Sequence, residues 1–159
     1  MRKLTLIALT FASAITLTTD LACAQDASAE ATYRDIEQTL GIVPTFFRQF
    51  PESGISAAWG EFKSVQLNPN TRLSGKVKEL IGLAIAAQIP CQYCVYFHTL
   101  AAKANGATEA EIREAVAMSA IVRHWSTVLN GMQTDPAGFR NEVDTVMKLA
   151  AEKAKAASR

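Results

Sequence analysis

Cys91-Gln92-Tyr93-Cys94-Val95-Tyr96-Phe97-His98 sets two thiols three residues apart and an imidazole four residues beyond the second. On a helix of 3.6 residues per turn, Cys91, Cys94 and His98 project from one face. An imidazole so placed can take a thiol proton, and the imidazolium it becomes can hold the thiolate by ion pairing. Pro90 comes immediately before the pair. Because proline suits the first turn of a helix, the sequence predicts that Pro90 opens one and that both cysteines lie in its first turn. The unpaired amides and the helix dipole there favour an anion, so a thiolate forms more easily than from a free thiol of pKa about 8.5.

Glu79 precedes Cys91 in a segment that is apolar nearly all round. Val77, Leu80, Ile81, Ala84 and Ile85 make one face of it, and Leu83 and Ala86 share the side of Glu79. Such a helix is expected to be buried over most of its circumference, and a buried carboxylate needs a proton or a partner. Two placements stay open: Glu79 reaches solvent near Lys76 and Lys78, or it turns inward to meet the cysteine face of the next helix. The cysteines have alternatives of their own. A structural disulfide across four residues contributes only about 2 kcal/mol in the chain-entropy model. Cys91, Cys94, His98 and Glu79 add up to four zinc ligands, although structural zinc sites usually draw on a second Cys or His pair. Two inert buried thiols are the third possibility. Between the cysteines, dipole arguments favour Cys91 as the more acidic thiol and the neighbouring imidazole favours Cys94.

The elements that must position these groups read as all-α, with no alternating strand-type run. Helices are predicted from Glu30 to Leu40 with Gly41 as C-cap, in a turn opened by Pro44, and from Ser53 to Leu67. Ser74 caps the Glu79 helix, which runs to about Ile89, and the cysteine helix runs from Pro90 to Asn105. Thr108 with Glu111 forms a capping box for a long helix toward Leu129, and Asp135-Pro136 starts the last one. Trp59, Phe62, Tyr96 and Phe97 are core or pocket-wall candidates, Tyr93 a wall or packing residue, and His124 and Trp125 fit a core or subunit interface better than a substrate site.

Glu, eleven residues, Cys-x-x-Cys, three residues, His resembles the AhpD-like alkylhydroperoxidases of the carboxymuconolactone decarboxylase family. The likeness spans roughly residues 50–129, including Gly106-Ala107-Thr108-Glu109-Ala110-Glu111-Ile112. It implies an all-α, AhpD-like helical domain packed around the Cys-x-x-Cys helix and assembled as a trimer or hexamer. It implies a two-cysteine peroxidase without a cofactor or metal, with Cys94 as attacking thiol, Cys91 as resolving thiol, and His98 and Glu79 as proton relay. A hydroperoxide would be the substrate and an external dithiol the reductant. A thiol-disulfide oxidoreductase, and a family member without peroxidase activity, are the alternatives.

Within 159 residues, 49% hydrophobic and 19% charged, there is room for one domain with its own core. Sixteen Lys and Arg against 15 Asp and Glu give a net charge of +1, which directs the chain toward neither nucleic acid nor an anionic membrane. Met1-Arg2-Lys3, the apolar stretch from Leu4 to Leu17 and the small-x-small site Ala22-Cys23-Ala24 have the parts of a secretory signal peptide. The stretch falls short of the ~20 apolar residues of a membrane span, so stable insertion is not expected. The organisation predicted is a leader over residues 1–24, a domain over 25–149 and a frayed tail over 150–159, exported to the periplasm. Loss of the leader removes Cys23, so the odd count of three cysteines becomes one pair.

Overall fold

The computed structural model describes residues 17–158, of which 17–28 as backbone only. Most of the predicted leader therefore lies outside the described residues. Helix α1 spans Leu17–Leu40 and so begins well before Glu30. No Gly or Pro interrupts the Ala-rich run from residue 22 to residue 31, so nothing local stops the helix from extending upstream. Gly41 ends it as expected: at φ +82° it takes the left-handed conformation that costs glycine little, and its N–H donates to the Glu37 carbonyl.

Among the described residues there is no strand, and the chain divides into two compact units at the Thr71–Arg72 boundary. In the first unit Ala29, Tyr33 and Ile36 form the buried stripe of α1. They cluster with Phe47 of α2 (Thr45–Arg48) and with Ile55 and Trp59 of α3 (Glu52–Glu61). Pro44 and Pro51 precede the two helices as N-caps. The predicted helix to Leu67 changes character at Phe62, where six residues to Leu67 continue as a π-helical stretch. Trp59 stacks on Phe62 with ring centres 5.7 Å apart, and its indole N–H donates to Asp35, which also pairs with Lys63.

In the second unit α4 (Gly75–Gln88) packs against both α5 (Gln92–Ala104) and α6 (Glu109–Gly131). Each start is chemically marked. The Ser74 hydroxyl accepts from the Val77 amide, and Thr108 and Glu111 close the predicted capping box. Gly106, at φ +82°, turns the chain out of α5. Helix α7 (Pro136–Ala157) starts at Asp135 and keeps its helical form through the stretch expected to fray from Ala150. Alanine and lysine are strong helix formers, and residues 150–158 contain no breaker.

The expectation that α4 is buried nearly all round needs correction. Glu79, Leu83 and Ala86, at i, i+4 and i+7, are its buried residues, whereas Val77, Ile81 and Ile85 stand exposed. Two partner helices cover one side of a cylinder, and the apolar residues on the other side stay uncovered within the chain.

Candidate active site

Helix α4 ends one short turn before α5 begins, and that turn brings their facing surfaces together. Pro90 does not occupy the first helical position. Its φ of +20° lies outside the helical range, so Cys91 becomes the N-cap of α5. The Cys91 amide donates to the Ala86 carbonyl at 3.0 Å, which ties the turn back onto α4. Its sulfur in turn accepts the Cys94 amide at 3.2 Å, one of the orphan donors of the first turn. Cys91 and Cys94 are joined by a disulfide with Cα atoms 5.3 Å apart, and both residues are half-buried.

One turn after Cys94, His98 points back to α4, where its Nδ1 lies 2.7 Å from Oε2 of Glu79. Of the two placements open to Glu79, the inward one is observed, with 5% of its side chain exposed against 19% for His98. A carboxylate only accepts, so with Glu79 ionised Nδ1 carries the proton and Nε2 is left as the basic nitrogen. Phe97 presents its ring to the imidazole at 82° and 5.3 Å. The structure thus pairs Glu79 with His98 across α4 and α5, and bonds Cys91 to Cys94 at the start of α5, one turn before His98. Among the described residues no group of three or more His, Cys, Asp or Glu stands where it could hold a metal ion.

Two features of the site have no counterpart in the sequence reading. Gly82 lies on the His98 side of α4, with the imidazole ring filling the space where a side chain would begin. A glycine inside a helix of good helix formers is the signal that points to it. The second feature holds the end of α4 against α6. Gln88 donates to the Ser119 carbonyl at 2.6 Å, and Arg123 donates both to the Gln88 side chain and to its main-chain carbonyl. Polar residues 35 positions apart give no local signal of such a network.

Other aromatic candidates separate clearly. Trp59 is core, whereas Tyr93, Tyr96 and Trp125 are more than half exposed. His124 and Trp125 meet edge to face on the exposed surface of α6, outside the core of this chain.

A model of the carboxymuconolactone decarboxylase family matches residues 54–134. The chain belongs to the carboxymuconolactone decarboxylase family. Its AhpD-like character is supported by a solved structure, the alkylhydroperoxidase AhpD core from Rhodospirillum rubrum, at 26% identity and a TM-score of 0.61. That likeness covers 80% of this chain and 97% of the other. No curated protein sequence matches the chain. In this AhpD-like family member the matched segment includes all of α4, α5 and α6, hence Glu79, Cys91, Cys94 and His98.

Proposed function

We propose that this protein is a two-cysteine peroxidase that reduces hydroperoxides, with Cys94 attacking, Cys91 resolving, and His98 and Glu79 moving the proton. What supports this function above all is the 2.7 Å contact between a buried carboxylate and an imidazole one turn from a bonded cysteine pair. In the reduced protein Nε2 of His98 takes the Cys94 proton, and Glu79 balances the charge that appears on the ring. The thiolate attacks the distal peroxide oxygen, the O–O bond breaks, and the proton held on His98 goes to the departing alkoxide. Cys94 is left as a sulfenic acid. The Cys91 thiol then attacks that sulfur, water leaves, and the disulfide seen here forms. An external dithiol returns two electrons and two protons by exchange.

The cysteine geometry suits the same cycle. A disulfide within one turn of a helix that must be opened and closed needs little chain movement, and the first-turn amides stabilise whichever sulfur is released as thiolate. Cys91 accepting the Cys94 amide also favours a second function, a thiol-disulfide oxidoreductase in which Cys91 attacks first. Export to the periplasm after removal of residues 1–24, and assembly into a homo-oligomer, belong to the proposal.

Single-turnover oxidation of the reduced protein by tert-butyl hydroperoxide, set beside its oxidation by a small disulfide, decides between the two functions. The peroxidase requires faster oxidation by the hydroperoxide, complete loss in Cys94→Ser, and one turnover with a trapped sulfenic acid in Cys91→Ser. Undiminished single-turnover reaction in Cys94→Ser would overturn the assignment.

A further inference from the structure

Gly82 is three residues after Glu79 and on the same face of α4, opposite His98. A Cβ placed on it would stand 2.8 Å from Nε2 of His98 and closer still to Cε1 and Nδ1. Those ring atoms are the nearest to the position once the helix's own backbone is set aside. Neither a turn nor a left-handed conformation calls for glycine here, unlike Gly41 and Gly106. Gly60, also within a helix, has nothing within 4 Å of the same position. A helix-interior glycine is unfavourable relative to alanine, so the space it opens must serve something else.

The geometry points to Gly82 as a positioning residue whose missing side chain forms the seat of the His98 ring. The ring lies flush on α4 with Nδ1 on Glu79 and one wall given by Phe97. Any side chain at position 82 pushes the imidazole outward and separates it from the carboxylate. A buried carboxylate and a partly buried imidazole 2.7 Å apart tolerate no such shift, because their attraction and hydrogen bond weaken together as the distance grows. This role rests on the function proposed above only where it reaches the thiols; the seating of the ring stands without it.

The test is a cycle of Gly82→Ala, His98→Ala and the double variant, with Gly60→Ala as control. Thermal unfolding reads the seat itself. Gly82→Ala is expected to lower the midpoint when His98 is present and to raise it in the His98→Ala protein, where the helix gains from alanine and nothing is displaced. Gly60→Ala is expected to raise it in both. The rate of iodoacetamide alkylation of the reduced protein between pH 5 and 8 reads the coupling to the thiols. In the acid half of that range Gly82→Ala should slow it by roughly tenfold, with no further loss in the double variant beyond His98→Ala alone. Gly82→Ala that lowers the unfolding midpoint equally with and without His98 would overturn the seat. Alkylation unchanged in His98→Ala would instead overturn the relay while leaving the thermal sign reversal intact.

Discussion

At the scale of single residues, the site turns on one buried carboxylate. Glu79 has water on almost none of its side chain, and its carboxylate meets the His98 imidazole at 2.7 Å. In the proposed cycle its work is to fix the tautomer of His98 and to balance the imidazolium that forms when a thiol proton is taken. Glu79→Gln keeps the shape and removes the charge. Peroxide turnover should fall by about 100-fold, within the usual range for a lost general acid-base partner, and its pH profile should change form. Steady-state kcat/KM across pH 5–9 checks this; an unchanged profile would remove Glu79 from the relay. The sequence made Cys94 and His98 legible because i and i+4 share a face of any helix, and Cys91 because it stands three residues before Cys94, although it takes the N-cap and not a helical position. Glu79 was legible only as one of two placements, since nothing local decides which way a side chain in another helix turns.

At the scale of elements, caps and end-to-end ties hold α4, α5 and α6 in register. Lys76 of α4 pairs with Glu111 of α6 at 2.7 Å, beside the box that Thr108 and Glu111 form. The Lys76 ammonium first, and then the backbone and hydroxyl of Thr108, lower the Glu111 pKa to about 2 from the ordinary 4.5. A carboxyl whose folded pKa is depressed stabilises above its unfolded value and loses that contribution as pH falls through the folded one. The share of stability carried by Glu111 is therefore complete above about pH 4.5 and disappears toward pH 2. Denaturant titrations at pH 6, 4 and 3 should show Glu111→Gln less stable than the parent at pH 6, with the gap narrowing as pH falls; a constant gap would contradict the linkage. The pair is partly solvated, so its effect is modest and salt-sensitive. The capping box was legible from Thr108 and Glu111 in sequence, whereas the Lys76 pairing required α4 and α6 to be packed. Pro90 is the element-level miss: its ring fixes no helix start here, because the turn tied by Cys91 to Ala86 comes first.

At the scale of the molecule, the exposed apolar residues are the unresolved cost. Ile81 and Ile85 on α4, and Met118, Ile121, Val122 and Trp125 on α6, are each at least 45% exposed. Single exposed apolar residues are ordinary, but repeated ones along helix faces mark an association surface. No helix among the described residues is long and apolar enough to cross a membrane. A homo-oligomer is the assembly proposed for these faces, and the leader is proposed to be absent from it. Native mass spectrometry of the protein from cells reads both at once. The expected result is an integral multiple of a subunit that begins at Gln25, and Val122→Glu should shift the population to smaller species. A monomer that begins at Met1 would overturn both proposals.

By itself the sequence determined most of the helices and their caps, and the spacing that puts Cys94 and His98 one turn apart on α5. These are local quantities, fixed by backbone geometry over three to seven residues and by side chains that cap their own chain ends. Tertiary structure alone decided that Glu79 turns inward, that Gly82 meets the His98 ring, and that Gln88 is clamped by Arg123. Each of those contacts joins different helices, and which helix faces meet is set by packing and by the turn at Pro90 rather than by spacing along one helix.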